Sequence, residues 1–204
     1  MAAAKPPTYQ RSLDLHRRRL IVEAARRVFE NAGLEGASIR AIAEAAGCTT
    51  GAIYPHFRSK EEIFAVVLSD SLSALSGCVE TSTAGIAAPA KAIRRATLAI
   101  YKYYDAHPSV LFNGEGKSKL RRGPDGDLRR QLEGLLALLA DSIRRASSKA
   151  FAPMVRVEAL ALFSYLVGLL VLKHSSRIDV LGNNAAILLA HYAKSLLGRL
   201  APHR

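Results

Sequence analysis

Thr49 and Thr50 place two hydroxyls side by side, and Tyr54 and His56 add a phenol and an imidazole just beyond them. Arg40 and Lys60 bracket this set with cations. Gly51 and Ala52 lie between the hydroxyls and the phenol, small enough for backbone to come close to a ligand surface. Such a set performs recognition and not bond making. Hydroxyls reach base edges or phosphates, an alanine methyl meets a thymine methyl, and a cation meets phosphate or guanine.

Other kinds of site are not indicated. His16, His56, His107, His174, His191 and His203 form no H-x-x-x-H or H-E-x-x-H pair, so no metal is expected. Gly116-Lys117-Ser118 looks like the end of a phosphate-binding loop, but the first glycine of that motif would fall on Leu111, and no strand precedes it. Asp125 and Asp127 lie among Arg121, Arg122, Arg129 and Arg130, where local ion pairing is expected. There is no G-x-S-x-G and no supported Cys–His arrangement, so neither catalysis nor a cofactor is expected. Cys48 and Cys78 make no C-x-x-C pair and no disulfide framework. With no signal-like apolar core in residues 1–10, the reading is cytoplasmic.

Helical periodicity positions the polar set. Leu20, Ile21, Ala24, Ala25, Val28 and Phe29 form one stripe, stopped at Asn31-Ala32-Gly33. Ser38 caps a short helix with Ile39, Ile42, Ala43 and Ala46, closed by Gly47. Thr49 caps the next, with Ile53, Tyr54 and Phe57. Ser59-Lys60-Glu61-Glu62 is a capping box before Ile63, Phe64, Val67, Leu68 and Leu72. Two short helices joined through one glycine make a helix-turn-helix, whose second helix enters the major groove by its N-terminal residues. Arg17-Arg18-Arg19 serves equally as a phosphate grip or a solvated face.

At this point the chain resembles the TetR (tetracycline-repressor) family of bacterial transcription regulators. The residues that carry the resemblance are Ile21, Ala24-Ala25, Phe29 and Gly33, then Ser38 to Gly47, Thr50 to Phe57, and Ser59 to Phe64. It covers about Arg18 to Leu68, a third of the chain. It implies an all-α fold, with three DNA-binding helices, a connecting fourth helix and a larger ligand-binding domain, acting as a homodimer whose last two long helices pair. Pro55 departs from the pattern inside the reading helix, so a short or bent helix is expected there. Cys48 stands where the family more often carries Val, and reads as a small apolar group.

The expected layout is a flexible tail over 1–14, a helix-turn-helix domain over 15–60 and an effector-binding and dimerisation domain over 61–204, with 59–77 as the connecting helix. DNA contacts fall on Arg40, Thr49, Thr50, Gly51, Ala52, Tyr54, His56 and Lys60. Tyr101, Tyr104, His107, Phe112, Phe163 and Tyr165 could line an effector pocket, apolar with a few polar tips. Helices over 153–173 and 184–200 are apolar nearly all round. Leu160, Leu166, Leu170, Ile187, Leu188, Tyr192 and Leu196 exceed one core stripe, which implies a two-fold homodimer. The apolar run at 159–172 is short of the roughly 20 residues a membrane span needs, and no membrane partner is expected.

The formal charge is +12, of which residues 1–60, with ten basic and five acidic side chains, hold +5. Charge therefore supports an anionic partner without locating it. The reading is a ligand-responsive regulator, released by a small-molecule effector from a palindromic double-stranded DNA operator. A non-specific DNA-binding protein and a small-molecule carrier built on the C-terminal helices are the alternatives.

Overall fold

The structure, a computed structural model, describes residues 7–108, 125–147, 153–180, 182 and 184–200. Among these residues the regular elements are all helices: α1 (Pro7–Gly36), α2 (Ile39–Ala45), α3 (Thr50–Ile53), α4 (Lys60–Thr83), α5 (Pro89–Ala106), α6 (Asp125–Ala146), α7 (Val155–His174), α8 (Arg177–Val180) and α9 (Ala185–Leu200). Two compact units result, and the division between them falls at Asp70–Ser71, inside α4, ten residues past the expected boundary at 60.

The first unit is held by one apolar cluster. Ile21, Val22, Ala25 and Phe29 of α1 meet Ile42 and Ala43 of α2, Ile53 of α3, Phe57, and Ile63, Phe64 and Val67 of α4. Phe29 and Phe64 meet edge to face at 5.1 Å, a favourable aromatic geometry. Cys48 packs half-buried on this cluster, as a small apolar group does. Each large side chain removed from water contributes about 1.5–3 kcal/mol, so a small core frees the opposite surface for polar residues.

In the second unit α7 meets α5, α8 and α9, and α9 also meets α5. Val155, Ala159, Leu162, Leu166, Leu169 and Leu170 put a single buried stripe on α7. Two ion pairs tie the helices: Lys173 Nζ to Asp105 at 2.6 Å, and Arg199 to Glu158 at 2.9 Å. Asn184 caps α9, its Oδ1 accepting from the Ala186 N–H at 2.8 Å.

Several expectations need correction. Residues 7–14 are helical, not tail: a proline at the first helical position needs no N–H partner, so Pro7 starts a helix where it was read as part of a flexible segment. The fourth helix does not stop at 77 but runs to Thr83. Gly77 costs it only about 1 kcal/mol, and buried Leu72, Leu75 and Val79 carry its apolar stripe past that point. By length and composition α4 and α7 are both long and apolar enough to cross a membrane. The expectation of too short a segment holds for the run 159–172 and not for the 20-residue helix containing it. Arg129 pairs with Glu133, while Gly116, Lys117 and Ser118 lie outside the described residues.

Candidate nucleic-acid interface

The reading element is built by its turn. Ser38 Oγ accepts the Ala41 N–H at 3.1 Å and starts α2. At the other end Gly47 adopts φ +65°, the left-handed region where a Cβ is disfavoured. Its N–H donates to Glu44 O at 3.1 Å, and the Cys48 N–H donates back to Ala43 O at 3.0 Å. This pair of bonds is the Schellman closure of a helix C-terminus. It re-aims the chain, so that α3 begins at Thr50 with Ile53 in the core.

One turn of helix follows. Pro55 does not lie inside it, as the sequence pattern suggested, but just after it: Tyr54 is the C-cap, and the His56 and Phe57 N–H groups both donate to Ile53 O. The element is therefore short and not kinked, and the missing proline N–H falls where no helical bond is required.

Burying Ile53 and Phe57 turns the rest outward. Arg40, Thr49, Thr50, Gly51, Ala52 and Tyr54 are exposed and His56 is half-buried. The Thr49 hydroxyl makes no capping bond to α3, so it stays available to a ligand. A Cβ placed on Gly51 would meet only Thr49 Oγ1, at 3.8 Å; the glycine is not required by the fold. Seven of the eight expected contact positions thus share one short segment or the start of the preceding helix.

Lys60 is the exception. Its ammonium donates to Leu34 O at 2.8 Å, Glu35 O at 3.2 Å and Ala37 O at 2.9 Å. All three protons are spent on carbonyls at and just beyond the end of α1. It pins the turn at Gly33, whose φ of +67° breaks the helical run inside α1, and is not a free cation for phosphate. The capping box beside it is also altered: Ser59 Oγ accepts the Glu62 N–H, but Glu62 Oε2 reaches back to the Arg58 N–H at 2.8 Å.

The arginine triplet divides. Arg18 lies over the Phe57 ring, 4.6 Å from its centre, a cation–π contact that braces the core. Arg17, with Asp14 and Leu20, lines a cleft of about 670 Å³ shared with Ala52, Pro55 and His56. The i, i+3 spacing of Asp14 and Arg17 on an apolar-backed helix could have signalled that face, but the tail assignment hid it.

In the second unit the expected effector residues do not converge. Tyr104 is buried edge to face against Phe163, and burial pushes its phenol far above the ordinary range. Tyr165 donates to Leu188 O at 2.9 Å and stacks on Tyr192 at 4.2 Å. His107 stacks on Tyr103, its Nδ1 2.8 Å from Tyr103 O. Phe112 lies outside the described residues. Of the set, Tyr101 lines the groove described in this unit, about 700 Å³ between α5 and α9. The aromatics chosen by type are mostly packing groups, and the groove is lined mainly by small aliphatic and basic residues that carry no aromatic signal.

Of the seven residues read as a second apolar face, Leu166, Leu170 and Leu196 are buried within the chain, and Leu188 and Tyr192 are half-buried. Leu160 and Ile187 stay outward, 52% and 64% exposed, joined by Val157 on α7 and by Met154 at its N-cap.

Residues 21–67 match the family model for bacterial regulatory proteins of the tetR family. The HTH-type transcriptional repressor AcnR of Corynebacterium efficiens is 39% identical over 62 residues, 30% of this chain and 33% of AcnR. The match thus spans about a third of that relative's length. In fold the likeness runs the whole chain. The fatty acid degradation regulator FadR of Bacillus halodurans superposes with a TM-score of 0.70 over 98% of this chain and 100% of FadR, at 19% identity. FadR of Bacillus subtilis, solved in complex with stearoyl-CoA, gives 0.65 over 89% and 96%, at 16% identity. Residues 21–67 are thus similar to the N-terminal domain of the tetR family of bacterial regulatory proteins, set in an all-helical architecture shared with these solved structures.

Proposed function

We propose that the protein is a ligand-responsive transcription regulator, acting as a repressor at a palindromic operator. The observation that carries this reading is the outward face of Thr49, Thr50, Gly51, Ala52 and Tyr54, held on a one-turn helix by the Gly47 closure. Uncharged donors and a low helix surface suit base edges in the major groove. Arg40 and Arg17 supply the phosphate contacts in place of Lys60. Such a protein works in the cytoplasm, where bacterial DNA lies.

The exposed apolar residues Val157 and Leu160 on α7 and Met154 at its N-cap, with Ile187 on α9, support a homodimer in which each protomer presents one reading helix to a half-site. Sedimentation at micromolar concentration is expected to give a dimer, and a clean monomer would remove that part of the proposal.

Effector binding to the C-terminal helices would favour a half-site separation that no longer fits the operator, with α4, which contributes residues to both units, carrying the change. The stearoyl-CoA complex of the Bacillus subtilis relative supports a fold able to hold such a ligand. Footprinting of the DNA upstream of the protein's own gene tests the reading: a protected inverted repeat supports self-regulation, and uniform cleavage at saturating protein rejects that operator.

A further inference from the structure

We infer that the groove between α5 and α9 is the effector site and that its ligand is an amphipathic anion, a long hydrocarbon chain ending in a carboxylate or phosphate-type head. The effector role rests on the regulator reading above; the binding site itself does not.

The groove is apolar along Leu98, Leu189, Ala190 and Leu197. Lys91, Arg94 and Arg95 also line it, all exposed, and no acidic residue does among the described residues. None of the three has a partner among the described residues. Elsewhere in this unit several cations are matched, Lys173 with Asp105, Arg199 with Glu158 and Arg145 with Asp141.

Like charges at i, i+3 and i+4 on a helix repel one another. These three also sit in the first two turns of α5, where the helix dipole disfavours cations and no acidic side chain offsets it. An anion held by the three side chains relieves both penalties.

The polarity changes along the helix. Cations occupy the first half of the groove-facing stripe, and Leu98 and Tyr101 follow. From Lys91 to Tyr101 α5 rises about 15 Å, so a head group at one end leaves an extended chain lying on Leu98 and the aliphatic side of α9. The groove volume of about 700 Å³ falls within the roughly 300–1,000 Å³ typical of small-molecule sites. A short anion leaves the apolar half empty, and a neutral lipid leaves the cations unmatched.

Calorimetric titration of the full chain with four probes tests this: palmitate, palmitoyl-CoA, hexadecanol and CoA without a chain. Palmitate or palmitoyl-CoA is expected to bind with micromolar affinity, the better of the two telling a free acid from a thioester. Hexadecanol and bare CoA should each bind at least about tenfold more weakly, a difference of about 1.4 kcal/mol. Arg94→Gln with Arg95→Gln should cost the charged probes a similar factor, and Ala190→Trp, at an exposed position that can take the ring, should block them; circular dichroism checks that both variants fold. Bound probe should lower affinity for operator DNA at least fivefold.

The inference is overturned if neither charged chain binds, or if binding survives both variants. It is overturned equally if Ala190→Trp converts a dimer to a monomer, which would assign the groove to a second copy of the chain. Tight binding that leaves DNA affinity unchanged removes the effector role. A protein that binds palmitate as described but binds no DNA refutes the regulator reading and leaves the ligand site standing.

Discussion

Lys60 and Lys173 sit in different units and are used in opposite ways. Lys60 gives its three protons to backbone carbonyls at and just beyond the end of α1, locking the turn there. Lys173 meets the Asp105 carboxylate at 2.6 Å but stays 39% exposed, where water and salt screen the pair. The N-terminal unit therefore depends on a few polar contacts of fixed geometry, because its function needs one short helix held at one angle. The second unit depends on long helices with apolar stripes, and its ion pairs adjust a fold that burial already holds.

The largest effect that follows is at Lys60. Lys60→Met leaves three carbonyls short of a charged donor and should cost about 1.5–3 kcal/mol, read from the midpoint of denaturant unfolding. A variant that keeps full stability and only flattens the salt dependence of DNA binding would return Lys60 to the DNA contacts. Gly47→Ala comes next. Nothing lies within 4 Å of the added Cβ, so the cost is backbone strain alone, about 1–2 kcal/mol, and Gly47→Asn should recover part of it. A loss well above that range would mean the turn has a second role.

Gly51→Ala separates stability from function. The methyl fits, and alanine improves α3 by up to about 1 kcal/mol, so thermal stability should hold or rise while operator affinity falls about tenfold, or about 1.4 kcal/mol. Unchanged affinity would mean that backbone does not approach DNA there. Lys173→Met is the smallest, less than about 1 kcal/mol at pH 7. The hydrogen bond to Asp105 raises the Lys173 pKa. Its contribution is therefore fully present below the unfolded lysine value of about 10.4 and is lost as pH rises through the higher folded value. A variant with an unaltered alkaline unfolding limb would show the pair to be without effect.

Element ends were legible wherever local chemistry sets them. Ser38, Gly47 and Ser59 each act within four residues of themselves, and each marks an observed boundary. Gly77 misled because a glycine signals a stop only when the apolar stripe ends with it, and here Val79 continues it. Pro7 misled because a proline that breaks a helix interior can also begin one. The outward position of Thr49 to Ala52 and Tyr54 was readable because the buried partners Ile53 and Phe57 dictate by spacing which neighbours point out. Lys60 was not, since its acceptors lie 23 to 26 residues earlier and no local pattern records that distance. The groove on α5 was not legible for the same reason: its walls come from helices far apart in sequence.

Selection of bound duplexes from a random double-stranded DNA library, using the intact protein at moderate salt, tests the central claim most directly. An enriched inverted repeat is predicted, whose preference relaxes at defined bases in Thr50→Ala and in Tyr54→Phe while Lys60→Arg keeps the wild-type motif. Recovery of unenriched sequence, with binding that tracks salt alone, would contradict it.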